Sequence, residues 1–149
     1  MAKVCEKCGS KGGLLKDSLF SSINGKDYCK ECANIYLKEC IDSIIITTTN
    51  NIDGYKVRKY LGIESVEIVV GTGVFSEFFG DVSDIFGSRS TPFEQKLQNA
   101  KCIATDKLKY LAYQRKGNAI IGIDIDYTEF SSNRIGVILN GTIVEIEKE

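Results

Sequence analysis

The clearest pattern of apolar and polar positions in this chain lies between Thr91 and Gly117. Apolar residues recur there at steps of three and four, which predicts one long helix with a single buried face. Thr91, Pro92 and Glu94 form a typical helix start, and we expect Gly117 to end the helix in a left-handed conformation. The buried stripe is predicted to contain Phe93, Leu97, Ala100, Ile103, Ala104, Leu108, Leu111 and Ala112.

Strand-like runs surround this helix. The stretch 44–49 is rich in β-branched residues, 55–61 is either a strand or a helical turn, and 64–70 alternates as a strand. After the helix, 119–130 alternates with Ile121, Ile123, Ile125 and Tyr127 on one face, and 135–139 and 142–146 flank a predicted Asn140-Gly141 turn. One helix among several strands predicts an α+β fold with a mainly antiparallel sheet.

A second apolar cluster falls between Val74 and Phe86, where the aromatic residues are too frequent for an ordinary loop. Its spacing is helical, but Gly80 and Gly87 interrupt it. Contact with a neighbouring subunit and packing beneath the long helix explain this cluster equally well.

The composition excludes several classes of protein. A formal charge of −1 gives no reason to expect a nucleic acid partner, and no apolar run approaches the length of a membrane helix. The start of the chain has no hydrophobic signal region, so we expect a cytoplasmic protein. The chain has no histidine, which removes the commonest general base and argues against an enzyme.

The chemistry is concentrated in the cysteines of the first 42 residues. Two CxxC pairs, Cys5 with Cys8 and Cys29 with Cys32, flank a predicted hairpin with an Asn24-Gly25 turn, and a short helix follows the second pair. Four thiolates in this spacing predict a structural zinc site of the treble-clef or LIM-like type. A redox dithiol pair and an iron site are the alternatives, while Cys40 and Cys102 are interpreted as small packing residues. We therefore expect a zinc-finger domain at 1–42 and an α+β oligomerisation domain at 43–149.

Weaker signals mark other positions. Gly71, Thr72 and Gly73 follow a strand but lack the remaining residues of a nucleotide-binding fingerprint, and Arg89 lies close to the predicted start of the long helix. These four residues are candidates for a ligand site, although a tight turn and a surface arginine explain them as well. Asp124 and Asp126 share a predicted strand face, which suits either a hard cation or, more simply, solvent.

The second domain resembles a known family. The stretches TTTNNIDGYKVRKYLG, VVGTGVFSEFFGDVSDIFGSRS and NAIIGIDIDY, with a closing GT-V strand, resemble the YbjQ-like family, also called UPF0145 or heavy-metal-binding domain, over about residues 44–147. The resemblance implies a dodecin-like subunit that assembles into a ring, typically a pentamer, and it implies no catalytic residue. Ser76-Glu77 and the run NRIGVILNGT depart from the usual pattern of the family, so ligand preferences do not carry over at those positions.

These observations predict a non-enzymatic, zinc-binding, ring-forming protein. Two other functions stay open at this point. One is a ring that binds or sequesters small molecules between subunits, and the other is a thiol-based sensor of metal or redox state. The predicted partners are further copies of the chain, and a protein that contacts the zinc finger.

Overall fold

The computed structural model describes residues 3–12, 20–70, 92–130 and 134–149, with the backbone alone at Pro92 and Phe93. The chain divides into two compact units, an N-terminal unit, Met1–Ser43, and a C-terminal unit, Ile44–Glu149. The predicted helix cap at Thr91 and the apolar cluster from Val74 to Phe86 lie outside the described residues. Within the described part of the chain, no helix combines the length and the apolar character needed to cross a membrane.

The N-terminal unit is built on a hairpin and a helix. Strands β1 (Phe20–Ile23) and β2 (Lys26–Cys29) pair antiparallel, which confirms the predicted hairpin. Asn24 and Gly25 connect them with φ of 51° and 77°, the two left-handed residues that a type I′ turn requires. Helix α1 (Lys30–Asp42) follows at once and begins at the second CxxC pair, as predicted.

The C-terminal unit contains a four-stranded sheet in the order β3-β5-β6-β4. Its strands are β3 (Ile45–Ile46), β4 (Tyr55–Val70), β5 (Ala119–Phe130) and β6 (Arg134–Lys148). The β4–β6 and β5–β6 pairs are antiparallel, and only the short β3–β5 pair is parallel. The α+β fold with a mainly antiparallel sheet is therefore confirmed.

Two strand boundaries were predicted incorrectly. The runs 55–61 and 64–70 belong to one strand of 16 residues, with irregular pairing near Val57 and Tyr60. The predicted Asn140-Gly141 turn is also wrong, because β6 runs straight through it. A Cβ atom at Gly141 would lie 2.6 Å from Ile120 Cγ2, so this glycine serves close packing and not chain reversal.

Strand β5 is interrupted by a bulge. Ile121 pairs with Thr142 and Asp124 with Asn140, so two β5 residues stand opposite Gly141 alone, and Gly122 has φ of 60°. The bulge reverses the alternation: Ile121 packs with Val144 on one face, while Ile123 packs on the core beneath the long helix. The expectation that Ile121 and Ile123 share a face is therefore wrong.

Helix α2 (Pro92–Gln114) covers one face of the sheet. Ala100, Ala104, Leu108 and Ala112 are buried against it, and Leu97, Ile103 and Leu111 are partly buried, which confirms the predicted stripe from Leu97 onward. The side chain of Phe93, also predicted in the stripe, lies outside the described residues. The core beneath the helix includes Val66 and Ile68 of β4 and Val137, Leu139 and Ile143 of β6.

The end of α2 differs from the prediction in one residue. Lys116, with φ of 62°, takes the left-handed conformation that we expected of Gly117. Gly117 N–H donates to Ala112 O at 2.8 Å and Lys116 N–H to Tyr113 O at 3.0 Å, which is the Schellman pattern. Gly117 is needed for space, because a Cβ atom there would lie 2.4 Å from Ile143 Cγ2.

Candidate metal centre

The first CxxC pair lies in a tight turn. Cys5 N–H donates to Ser10 O and Gly9 N–H to Cys5 O, each at 2.8 Å, and Gly9 has φ of 70°. Glu6 N–H donates to Asp27 O at 2.9 Å and so attaches the turn to the hairpin. This arrangement brings the side chains of Cys5 and Cys8 to the end of β2.

The second CxxC pair lies at the junction of β2 and α1. Cys29 is the last residue of β2 and the N-cap of α1, with an extended backbone, and Cys32 lies in the first helical turn. Turn, hairpin and helix follow one another in the order found in treble-clef zinc fingers.

The fold brings the four predicted cysteines together. The sulfur atoms of Cys5, Cys8, Cys29 and Cys32 all lie within 4.8 Å of one another. Cys8 Sγ and Cys29 Sγ are 3.7 Å apart. A tetrahedral zinc with Zn–S bonds of about 2.3 Å requires sulfurs about 3.8 Å apart, so this donor set suits such an ion. Among the described residues, this is the one group of three or more cysteine or acidic side chains with metal-binding geometry.

The surroundings of the sulfurs differ. Burial raises the pKa of the Cys5 thiol, but amide N–H groups of Cys29, Cys8 and Lys7 outweigh it and lower that pKa to about 6. Hydrogen bonds from Ser10 lower the pKa of Cys8, whose Sγ is 3.2 Å from Ser10 Oγ. A hydrogen bond with Cys29, together with burial, raises the pKa of Cys32 to about 12. Cys5 is therefore ionised at neutral pH before a cation arrives, and the Cys32 proton leaves only when the cation binds.

Few other interactions hold the described part of this unit together. Among its described residues, the buried core consists of Cys5, Tyr28, Cys32 and Ala33, and the rings of Tyr28 and Tyr36 stack at 5.3 Å. Ion pairs Lys26–Glu6 at 2.9 Å and Lys7–Glu39 at 3.1 Å join the turn to the hairpin and to α1. Exposed pairs of this kind are screened by solvent and contribute little stability, so a metal would supply much of it.

The other candidate positions from the sequence have different outcomes. Gly71, Thr72, Gly73 and Arg89 lie outside the described residues. Asp124 and Asp126 are exposed on β5 and belong to no cluster with metal-binding geometry in the described part of the chain. Cys40 is half-buried, but Cys102 is exposed on α2, so its interpretation as a packing residue is wrong.

The sequence did not predict a cavity of about 350 Å³ that the C-terminal unit contains. Its wall combines the side chains of Leu108, Ile123, Ile125 and Leu139 with those of Thr47 and Thr105. The cavity lies beside the β5 bulge and the end of β3, and neither feature has a strong sequence signal. Ser10 was not predicted as part of the site either, although its position two residues after Cys8 is a signal that could have identified it.

Together, the fold and the site define an α+β protein with an N-terminal four-cysteine metal-binding module. Residues 44–147 match the YbjQ family, whose description is "Putative heavy-metal-binding", and the chain belongs to this family. The matched residues contain only Cys102 of the six cysteines. The family and the cysteine cluster therefore indicate metal binding independently, from different parts of the chain.

Relatives of known sequence agree with this assignment. A UPF0145 protein from Bacillus cereus is 39% identical over 103 residues, which cover 69% of this chain and all of the relative. A UPF0145 protein from Carboxydothermus hydrogenoformans is 37% identical over 106 residues, covering 71% of this chain and 99% of the relative. The match in each case leaves out a part of this chain about as long as the N-terminal unit.

A solved structure is also similar to part of the chain. It is a protein of unknown function from Pediococcus pentosaceus, described as a member of the DUF74 family. The TM-score is 0.49 at 18% identity, and the match covers 70% of this chain and 98% of that protein.

Proposed function

We propose that the protein is a non-enzymatic zinc-binding protein in which Cys5, Cys8, Cys29 and Cys32 hold one structural zinc ion. The observation that supports this proposal is the convergence of four sulfurs within 4.8 Å in a chain without histidine. Zinc suits an all-thiolate tetrahedral set, and a unit with so small a core gains its stability from the metal.

We further propose that the C-terminal unit assembles the protein into a cytoplasmic homo-oligomeric ring, with a pentamer as the expected form. The YbjQ resemblance motivates the ring, and exposed apolar side chains support it. The pairing register places Ile63, Val69 and Phe130 on the sheet face away from α2, and these side chains are 75%, 46% and 49% exposed. Val69 and the ring of Phe130 both lie beside Gly136, and an exposed apolar patch of this kind is typical of subunit contacts.

The N-terminal unit would then serve to contact another protein. Residues 1–42 carry seven lysines against six acidic residues, a balance that does not suit nucleic acid.

Native mass spectrometry of the untagged protein, purified without added metal, tests the first two proposals together. We expect a closed oligomer with one zinc per chain. A metal-free monomer with intact secondary structure would contradict both.

A pair of cysteine variants tests the metal site of the N-terminal unit separately from the oligomer. Cys8→Ser should lose zinc and the fold of the N-terminal unit while the oligomer persists. Cys40→Ser is the matched control, because Cys40 lies outside the cluster, and it should retain zinc. Retention of stoichiometric zinc by Cys8→Ser would argue against a four-cysteine site.

The cavity in the C-terminal unit favours a second candidate function, the binding of a small neutral molecule. Its volume of about 350 Å³ lies at the lower end of the range for ligand pockets, and its lining is mostly apolar. The fluorescent probe N-phenyl-1-naphthylamine should bind, and Ile125→Glu, at a cavity-lining residue that is 40% exposed, should weaken binding at least tenfold. Ile35→Glu, at a residue of the N-terminal unit that is 49% exposed, is the control, and an equal effect of both variants would reject the cavity as the site.

A further inference from the structure

The four cysteines of the metal centre are not equally accessible. Cys5 and Cys32 are buried, at 1% and 9% exposure, beside Tyr28 and Ala33. Cys29 is half-buried and Cys8 is exposed. One edge of the cluster, made by Cys8 and Cys29, is therefore open to reagents in solution, while the opposite edge is closed by the small core.

The two accessible cysteines are also close together. Their sulfurs are 3.7 Å apart, and a disulfide of about 2.05 Å requires an approach of roughly 1.7 Å. Cys8 lies in a short exposed turn and Cys29 at the junction of a strand and a helix, so the bond would join two separate arms of the unit. A bond within either CxxC pair would use one of the buried sulfurs, Cys5 or Cys32.

We propose that the metal centre is a peroxide-sensitive switch in which oxidation links Cys8 to Cys29 and releases the zinc ion. This inference rests on the proposed zinc site. It concerns regulation of that site, and it selects one pair among the six possible pairs of four cysteines.

The chemistry needs one molecule of peroxide. The Cys8 thiolate attacks one peroxide oxygen, the O–O bond breaks, and hydroxide leaves, so that Cys8 becomes a sulfenic acid. The Cys29 thiolate then attacks the Cys8 sulfur, the S–O bond breaks, and a second hydroxide leaves. Two protons from solvent convert both hydroxides to water. The two thiols lose two electrons in total, the peroxide gains them, and zinc keeps its charge.

Metal release follows from the loss of ligands. After the disulfide has formed, only Cys5 and Cys32 remain as thiolates, and two ligands do not hold a structural zinc ion. Because the unit has so small a core, it should unfold when the metal leaves and refold after a dithiol reductant and zinc are added.

The sequence allows an unambiguous test. Trypsin cuts after Lys7, Lys11, Lys30 and Lys38, so the four cysteines fall in four different peptides, Val4–Lys7, Cys8–Lys11, Asp27–Lys30 and Glu31–Lys38. The zinc-loaded full-length protein is treated with one equivalent of hydrogen peroxide, alkylated and digested without reduction. Released zinc is measured in parallel with the indicator 4-(2-pyridylazo)resorcinol.

We expect one zinc released per peroxide consumed, together with a disulfide between the peptides Cys8–Lys11 and Asp27–Lys30. Cys40→Ser should behave like the unmodified protein. Linkage of any other pair, or zinc retained after peroxide is consumed, would overturn the proposal. Absence of zinc before treatment would instead contradict the zinc site itself, so the two failures are distinguishable.

Discussion

Steric contact restricts two positions in the C-terminal unit to glycine. Gly117 and Gly141 stand where a Cβ atom would meet Ile143 and Ile120 at 2.4 Å and 2.6 Å. Both neighbours are completely buried, so they have little room to move. Glycine is required at these positions because helix, sheet and backbone approach one another closely.

Substitution of Gly117 tests this explanation. Gly117→Ala should lower the free energy of unfolding by about 1–3 kcal/mol, since the new methyl group overlaps Ile143. Lys116→Gly should instead be neutral or raise it by up to about 1 kcal/mol, because φ at Lys116 is 62°. Urea denaturation measures both. If Gly117→Ala proves as stable as the unsubstituted protein, close packing does not explain this glycine.

The unequal thiols predict how metal binding depends on pH. Cys5, with its pKa lowered to about 6, is ionised at pH 8 and protonated at pH 5, whereas Cys32, with its pKa raised to about 12, carries a proton throughout. The number of protons released on zinc binding should therefore rise by at least one as the pH falls from 8 to 5, because the pKa of Cys8 is lowered too, and affinity should fall more steeply below pH 6. Titration calorimetry in buffers of different ionisation enthalpy counts these protons. A count independent of pH would show that Cys5 is not ionised in the metal-free protein.

At the scale of elements, α2 organises the C-terminal unit through one buried stripe. Small residues every four positions, Ala100, Ala104 and Ala112, bring the helix axis close to the sheet, and Leu108 fills the centre. Asn118 stabilises the chain just after the helix, because its side chain accepts from Ile146 N–H at 2.7 Å and donates to Ile146 O at 2.8 Å. The helix and the sheet therefore depend on each other for their position.

Truncation within the stripe measures this dependence. Leu108 is 1% exposed, so Leu108→Ala should lower the free energy of unfolding by about 2–5 kcal/mol. Tyr110, on the same helix and 39% exposed, is the control, and Tyr110→Ala should cost less than about 1 kcal/mol. The midpoints of urea denaturation, compared at equal denaturant dependence of the free energy of unfolding, measure the two losses of stability. Similar losses would mean that α2 does not pack through the predicted face.

At the scale of the whole molecule, the two units obtain stability from different sources. The C-terminal unit buries a continuous apolar core between α2 and the sheet, with a second small cluster around Val144 and Ile146. In the N-terminal unit, four of the residues that the structure describes are buried, and two of them are cysteines of the metal centre.

Metal removal should therefore affect the units separately. With excess chelator, the amide signals of residues 3–43 should collapse toward random-coil positions, while those of 44–149 keep their dispersion. Heteronuclear NMR of the full-length chain reports both regions in one spectrum, and addition of zinc should restore the first set. Preserved dispersion in both regions after complete metal removal would show that the N-terminal core is sufficient by itself.

The sequence by itself determined the features that depend on local chemistry. The spacing of Leu97, Ala100, Ala104 and Leu108 predicts a buried helix face without knowledge of what packs on it, because residues three or four apart lie on the same side of a helix. The Asn24-Gly25 turn and the two CxxC pairs could also be predicted, because backbone preference and the ability to bind a metal are properties of the residues themselves.

Only the tertiary structure decided features that depend on what lies across the sheet or the helix. Gly141 suggested a turn and Gly117 a left-handed helix end, yet close contact with Ile120 and Ile143, which are distant in sequence, explains both glycines. The bulge at Gly122 reversed the faces of Ile121 and Ile123 because pairing with β6 and hydrogen bonds to Thr47 and Thr49 outweighed simple alternation. The same holds for the metal centre. The spacing of the cysteines predicted its four ligands, but the exposure of Cys8 and the burial of Cys5 follow from how the turn, the hairpin and the helix pack.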